Sequence, residues 1–122
     1  MTKRDNRRST EILTMAEYQS EVMRIAIDVV GDEALLYAAM LIAGEAGEYL
    51  NIVKKLVYHG HEAGDEAKAA IIDELGDILS GVAYAAAILS VPLVTVAERN
   101  VDKLRRRYPN GFSRERSRNR KS

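Results

Sequence analysis

From Thr14 onward the apolar side chains recur at helical rather than strand spacing. Met15, Tyr18, Val22, Ile25, Ala26 and Val29 fall on one stripe of a helix. Thr14-Met-Ala-Glu17 fits a capping box, in which hydroxyl and carboxylate satisfy each other's free amides, so the helix is expected to start there. Gly31 is the expected C′ glycine that ends it. Asp32 can cap a second helix, predicted to run to about Tyr58 and to stop at His59-Gly60. A third is predicted from Asp65 or Glu66 to about Ser90. Pro92 suits the first turn of a fourth, which should end before Tyr108-Pro109-Asn110-Gly111. No segment alternates with period two. The expected fold class is all-α.

The third helix has an unusual surface. Val82, Ala83, Tyr84, Ala85, Ala86, Ala87, Ile88 and Leu89 leave it almost no polar face, and a helix apolar all round must be covered all round. Four helices within 122 residues make one domain but cannot supply that cover alone. The expectation is a four-helix bundle completed by homo-oligomerisation, with its core at about residues 10–112. The ends, 1–9 and 113–122, are basic, have nothing to bury, and are expected to be mobile.

Composition narrows the chemistry. The net charge is zero, but residues 1–8 carry four basic groups and one acid, and residues 103–122 carry nine basic groups and Glu115. Residues 9–102 hold 16 acids against five bases, a net of −11. An acidic body is unlike a nucleic-acid reader, whose basic groups line one ordered face, so no specific nucleic-acid partner is expected. Without cysteine there is no disulfide scaffold, thiol nucleophile or thiolate metal site. The longest charge-free stretch, Ile78–Ala97, holds Ser80, Gly81, Ser90, Pro92 and Thr95 and makes a poor membrane span, so no membrane partner is expected. Met1-Thr-Lys-Arg-Asp-Asn-Arg-Arg does not lead into the apolar region of a signal peptide, and the expected location is the cytoplasm.

Two short stretches carry the candidate chemistry. Gly44-Glu45-Ala46-Gly47-Glu48 lies inside the second helix, and Asp73-Glu74-Leu75-Gly76-Asp77 inside the third. Glu45 and Glu48, and likewise Glu74 and Asp77, are three residues apart and share a helix face, where like charges repel. Gly44, Gly47 and Gly76 each weaken their helix by about 1 kcal/mol relative to alanine, so close approach of a helix backbone or a ligand is the expected reason for them. Glu48 and Glu74 lie roughly 15 and 13 Å from the same turn, at about 1.5 Å per residue. Antiparallel helices would therefore bring all four acids level. Bound cations make such crowding tolerable, and an oxygen-only set points to Mg²⁺ or Mn²⁺, with room for two ions or more. A di-iron bundle would want Glu-x-x-His on two helices, whereas His59 and His61 lie in the turn.

With these motifs the chain resembles the all-α nucleoside triphosphate pyrophosphohydrolases of the MazG type, in their short single-domain form. The resemblance runs from Tyr18-Gln19 through Glu45/Glu48, Lys54-Lys55 and Glu74/Asp77 to Asn100-Val-Asp-Lys103-Leu and Arg107-Tyr-Pro-Asn-Gly-Phe112. It implies hydrolysis of a (deoxy)nucleoside triphosphate to the monophosphate and pyrophosphate, dependent on Mg²⁺ or Mn²⁺, in a dimer or a dimer of dimers. It implies that Glu45, Glu48, Glu74 and Asp77 are the metal-binding and catalytic acids. Lys54, Asn100 and Lys103 are candidates for the phosphate chain, and Gln19 for a base edge. Tyr18 is expected in the core. One departure stands out: relatives often carry bulky aromatics after the aspartate, whereas this chain has Asp77-Ile-Leu-Ser80-Gly81. Small residues there leave room for a larger base, so the expected substrate is a purine deoxynucleotide such as dGTP, with Ser80 in the pocket. The competing expectation is a non-enzymatic helical oligomer whose acidic patch binds a basic partner.

Overall fold

The computed structural model describes residues 14–26, 28–59 and 64–112, with Arg114 and Arg118. The terminal segments, apart from those two arginines, and the turn containing His61 lie outside the described residues. Four helices follow one another: α1 (Met15–Arg24), α2 (Gly31–His59), α3 (Gly64–Ile88) and α4 (Leu93–Arg107). Among the described residues there is no strand, and no single helix is long and apolar enough to cross a membrane. The all-α expectation holds. α2 and α3 form an antiparallel hairpin, α1 packs on α3 and α4, and α4 leaves α3 at a bend of 103°.

Helix ends differ from expectation in instructive ways. Thr14 caps α1, its hydroxyl accepting from the Glu17 N–H at 3.1 Å. The glutamate carboxylate, however, takes the Thr14 hydroxyl proton, also at 3.1 Å. α1 stops at Arg24, well short of Gly31. Ile25, Val29 and Val30 are β-branched, which disfavours helix, and Ile25 and Val30 are 74% and 80% exposed, so no packing compensates. Gly31 instead opens α2 in the left-handed region, φ +66°, and Asp32 sits in the first helical turn with Glu33, where acids suit the helix dipole. Pro92 is the N-cap of α4, one residue earlier than expected.

The buried residues gather at one end of the hairpin. They are Ala34 and Ala38 of α2, Gly81, Ala83, Tyr84 and Ala86 of α3, and Leu93 of α4. Tyr37 and Tyr84 pack edge to face with ring centres 5.7 Å apart. Gly81 permits the closest approach of the two helices, because a Cβ there would lie 2.7 Å from Cγ1 of Ile42. At Gly44, Gly47 and Gly76 a Cβ would meet nothing within 4 Å. Those three glycines therefore do not serve helix approach within the chain. Gly81 does, and its missing side chain makes room for Ile42 rather than for a larger base.

Candidate active site

The acids stand where this packed end gives out. On α2 the inward stripe runs Ala34, Ala38, Leu41, Glu45, Tyr49, Ile52, and on α3 it runs Ala70, Glu74, Ile78, Gly81. Glu45 and Glu74 thus occupy positions that the helical repeat gives to core residues, and both are half-buried. Asp77 joins them from the exposed edge of α3. Each of the three offers a carboxylate oxygen, and these oxygens lie within 4.8 Å of one another. Glu48 is exposed and outside this trio, though its charge is felt at Glu74.

Crowding is visible in the proton affinity of Glu74. Its carboxyl is pushed up from 4.5 to about 7, first by a hydrogen bond with Glu45, then by burial, then by the charges of Glu45, Asp77 and Glu48. Its Oε2 is buried and has no hydrogen-bond partner. A buried, unpartnered carboxylate oxygen facing two further carboxylates fits a divalent cation, since hard oxygen donors are what Mg²⁺ and Mn²⁺ take. Glu45, Glu74 and Asp77 are the residues that could hold it.

Tyr18 adjoins this centre, which the sequence reading did not foresee. It is half-buried, and its hydroxyl donates to the carbonyl of Gly76 at 3.4 Å. Burial, then the charge of Asp77, raises the phenol above its ordinary value. The signal lay in the periodicity, which put Tyr18 on the packing face of α1 without saying which part of α3 it would meet. Ser80, half-buried one turn past Asp77, donates its hydroxyl to the Asp77 carbonyl at 2.7 Å.

Other candidates lie elsewhere. Gln19 does not present its amide to a ligand: its Nε2 donates to the carbonyls of Val91 (2.9 Å) and Ala83 (3.3 Å), and its Oε1 accepts from the Leu93 N–H (2.9 Å). Its donors are both taken by backbone, which removes it as a base reader. Lys54 is nine residues from Glu45 along one helix, about 180° round it, on the exposed outer face of α2. It does not join the acids of its own chain. Asn100 and Lys103 line an open groove on α4 with Val96, Arg99, Asp102 and Arg106.

Residues 33–112 match the family described as the MazG nucleotide pyrophosphohydrolase domain. The Gene 37 protein of Mycobacterium phage L5 is 40% identical over 84 residues, 65% of this chain and 70% of that protein. No solved structure gives a significant match. The matched span takes in both acid pairs, the whole α3–α4 corner and the turn that ends α4, and the chain belongs to the MazG nucleotide pyrophosphohydrolase family.

Proposed function

We propose that the protein hydrolyses a (deoxy)nucleoside triphosphate to the monophosphate and pyrophosphate, with Mg²⁺ or Mn²⁺ held by Glu45, Glu74 and Asp77 and by Glu48 at their edge. The observation that carries this reading is the buried, unpartnered Oε2 of Glu74 among facing carboxylates. Bound cations there neutralise phosphate oxygens and lower the proton affinity of water. One carboxylate of the set would accept the proton of the attacking water. Asn100 and Lys103 take the phosphate chain along α4, lysine acting as a compact point charge. A purine preference now rests on the small Ser80 alone, because the room at Gly81 is filled by Ile42. The cytoplasm, where these nucleotides are, is the matching location.

The reading includes a second copy of the chain. Leu36, Met40, Ala43, Gly47, Leu50, Lys54 and Val57 repeat at alternating steps of four and three along the outer face of α2, and all are exposed. Leu36, Met40, Leu50 and Val57 are 61–65% exposed, while no large side chain in the described residues is fully buried. A stripe of this period is the seam of a helix pair, and the small Ala43 and Gly47 at its middle let two helices approach. In such a pair Lys54 faces the other chain. A panel of nucleoside and deoxynucleoside triphosphates with Mg²⁺ and Mn²⁺, resolving monophosphate, diphosphate and pyrophosphate, tests the activity. Monophosphate and pyrophosphate in equal amounts support it; no turnover on any nucleotide rejects it.

A further inference from the structure

α1 is tied to the rest of the molecule by two adjacent residues. Among the described residues, the side-chain hydrogen bonds that α1 makes to other helices and to the α3–α4 turn come from Tyr18 and Gln19. Tyr18 reaches the backbone beside Asp77. Gln19 reaches the corner where α3 turns into α4, and there it holds three points: Ala83 on α3, Val91 in the turn, and Leu93 at the start of α4. A carboxamide has one acceptor oxygen and two N–H donors, so both of its ends are engaged. The leading N–H groups of a helix have no partner within it, and Pro92 at the N-cap of α4 makes no side-chain bond to them. Gln19 therefore caps α4 from a residue 74 positions earlier.

The corner itself is sharply defined. Val91 N–H bonds to Ala86 O at 2.8 Å and Ser90 N–H to Ala87 O at 2.9 Å, a Schellman-type ending with Ser90 in the left-handed region, φ +58°. Beyond it, α4 rests on α1 and α3. Lys103 lies ten residues beyond Leu93, about 15 Å along the helix, so a tilt of about 4° at the corner moves it by about 1 Å. Displacements of that size are costly in a site that orients its substrate.

We propose that Gln19 is a positioning residue: by latching the α3–α4 corner it sets where Asn100 and Lys103 stand relative to the carboxylates of α3. This rests on the reading of α4 as the helix that takes the phosphate chain. Gln19→Met removes both ends of the latch at similar size, and Gln19→Glu keeps an acceptor for the Leu93 N–H while losing the donors. Four quantities are read on each: exchange of the Leu93 amide by NMR, affinity for inorganic triphosphate with Mg²⁺ by calorimetry, KM against kcat, and affinity for Mn²⁺ alone. In Gln19→Met the Leu93 amide exchanges faster, triphosphate affinity falls and KM rises by about tenfold or more, kcat changes less, and Mn²⁺ affinity stays within about twofold. Gln19→Glu falls between it and the wild type. A folded Gln19→Met with unchanged KM and triphosphate affinity overturns the proposal, as does Mn²⁺ affinity falling in step with them. If Gln19→Met does not fold, the same readings on Gln19→Glu decide, and no change there overturns it. A wild type that binds no triphosphate and turns over no nucleotide sinks the reading of the site, and this role with it. An active wild type with indifferent variants sinks the latch alone.

Discussion

The two ends of the α2–α3 hairpin are built from the same kind of helix and come to opposite results. At one end Ala34, Ala38, Gly81, Ala83, Tyr84 and Ala86 are buried, α1 and α4 pack on α3, and every buried residue of the described chain is found there. Toward the connecting turn, residues 48–59 and 64–76 bury nothing completely, and Leu50, Val57, Tyr58 and Ile72 are exposed. Glu45 and Glu74 sit at the border, in positions the helical repeat would give to apolar residues. Small side chains let the first end bury a core within one chain, although Leu36, Met40 and Leu89 stay exposed on its outside. The second end is left with unbalanced charge and uncovered apolar surface, and both are deficits that binding can remedy. Stability is thus concentrated where there is no chemistry, and the candidate chemistry lies where stability is incomplete.

Substitutions at the two ends should separate these roles. Glu45→Gln, Glu48→Gln, Glu74→Gln and Asp77→Asn remove proposed metal ligands without removing packing. Each is expected to lower turnover by more than the ~10–100-fold that loss of an outer-shell partner costs, with the helical circular dichroism unchanged. Near-normal rates in two of the four would move the site elsewhere.

The next contrast is between two glycines. Gly81→Ala forces a methyl against Ile42 at the packed end and should destabilise by about 1–3 kcal/mol. Gly44→Ala, in a helix interior with open space around it, should stabilise by up to about 1 kcal/mol. Urea melts that give the same sign for both would show that the two ends are not packed differently. Smallest in expected effect is Ser90→Gly, which relieves a left-handed serine at φ +58°. It should raise stability by about 0.5 kcal/mol, strain relief being partly offset by the freer unfolded chain.

Most of the fold could be read from local signals. Helical spacing, Thr14, Pro92 and the Tyr108–Gly111 turn place four helices because each signal acts within a few residues of itself. The end of α1 could not be read this way, since Ile25 and Val29 keep the helical period although Ile25 is 74% exposed and both lie beyond the helix. The acids were legible because two i, i+3 pairs at matched depth on consecutive helices leave little freedom. That Glu48 lies at the edge depends on how the two helices are rotated, which spacing does not report. Gln19 and Gly81 were assigned the wrong neighbours for the same reason. A side chain that bonds to backbone 64 to 74 residues away leaves no mark in the pattern around it. Lys54 is a different case, because its position half a turn from Glu45 was readable by counting.

The most direct test of the shared carboxylate centre is a set of thermal melts. Glu74 in the folded chain holds its proton up to about pH 7 against an ordinary value of 4.5. The folded state therefore binds more protons across that window, and the site's contribution to stability is intact below it, falls as pH rises through it, and is least above it. Without metal, at about pH 7.5, Glu74→Gln should be more stable than wild type, and the difference should shrink at about pH 5.5. Mn²⁺ should reverse the order, because an ion that binds only the folded wild-type site stabilises it by about 2.7 kcal/mol at a hundredfold excess over its dissociation constant. A shared carboxylate centre gives this crossover between chelator and Mn²⁺ at about pH 7.5. A variant less stable than wild type in chelator at that pH, or an equal upward shift of both proteins by Mn²⁺, would contradict it.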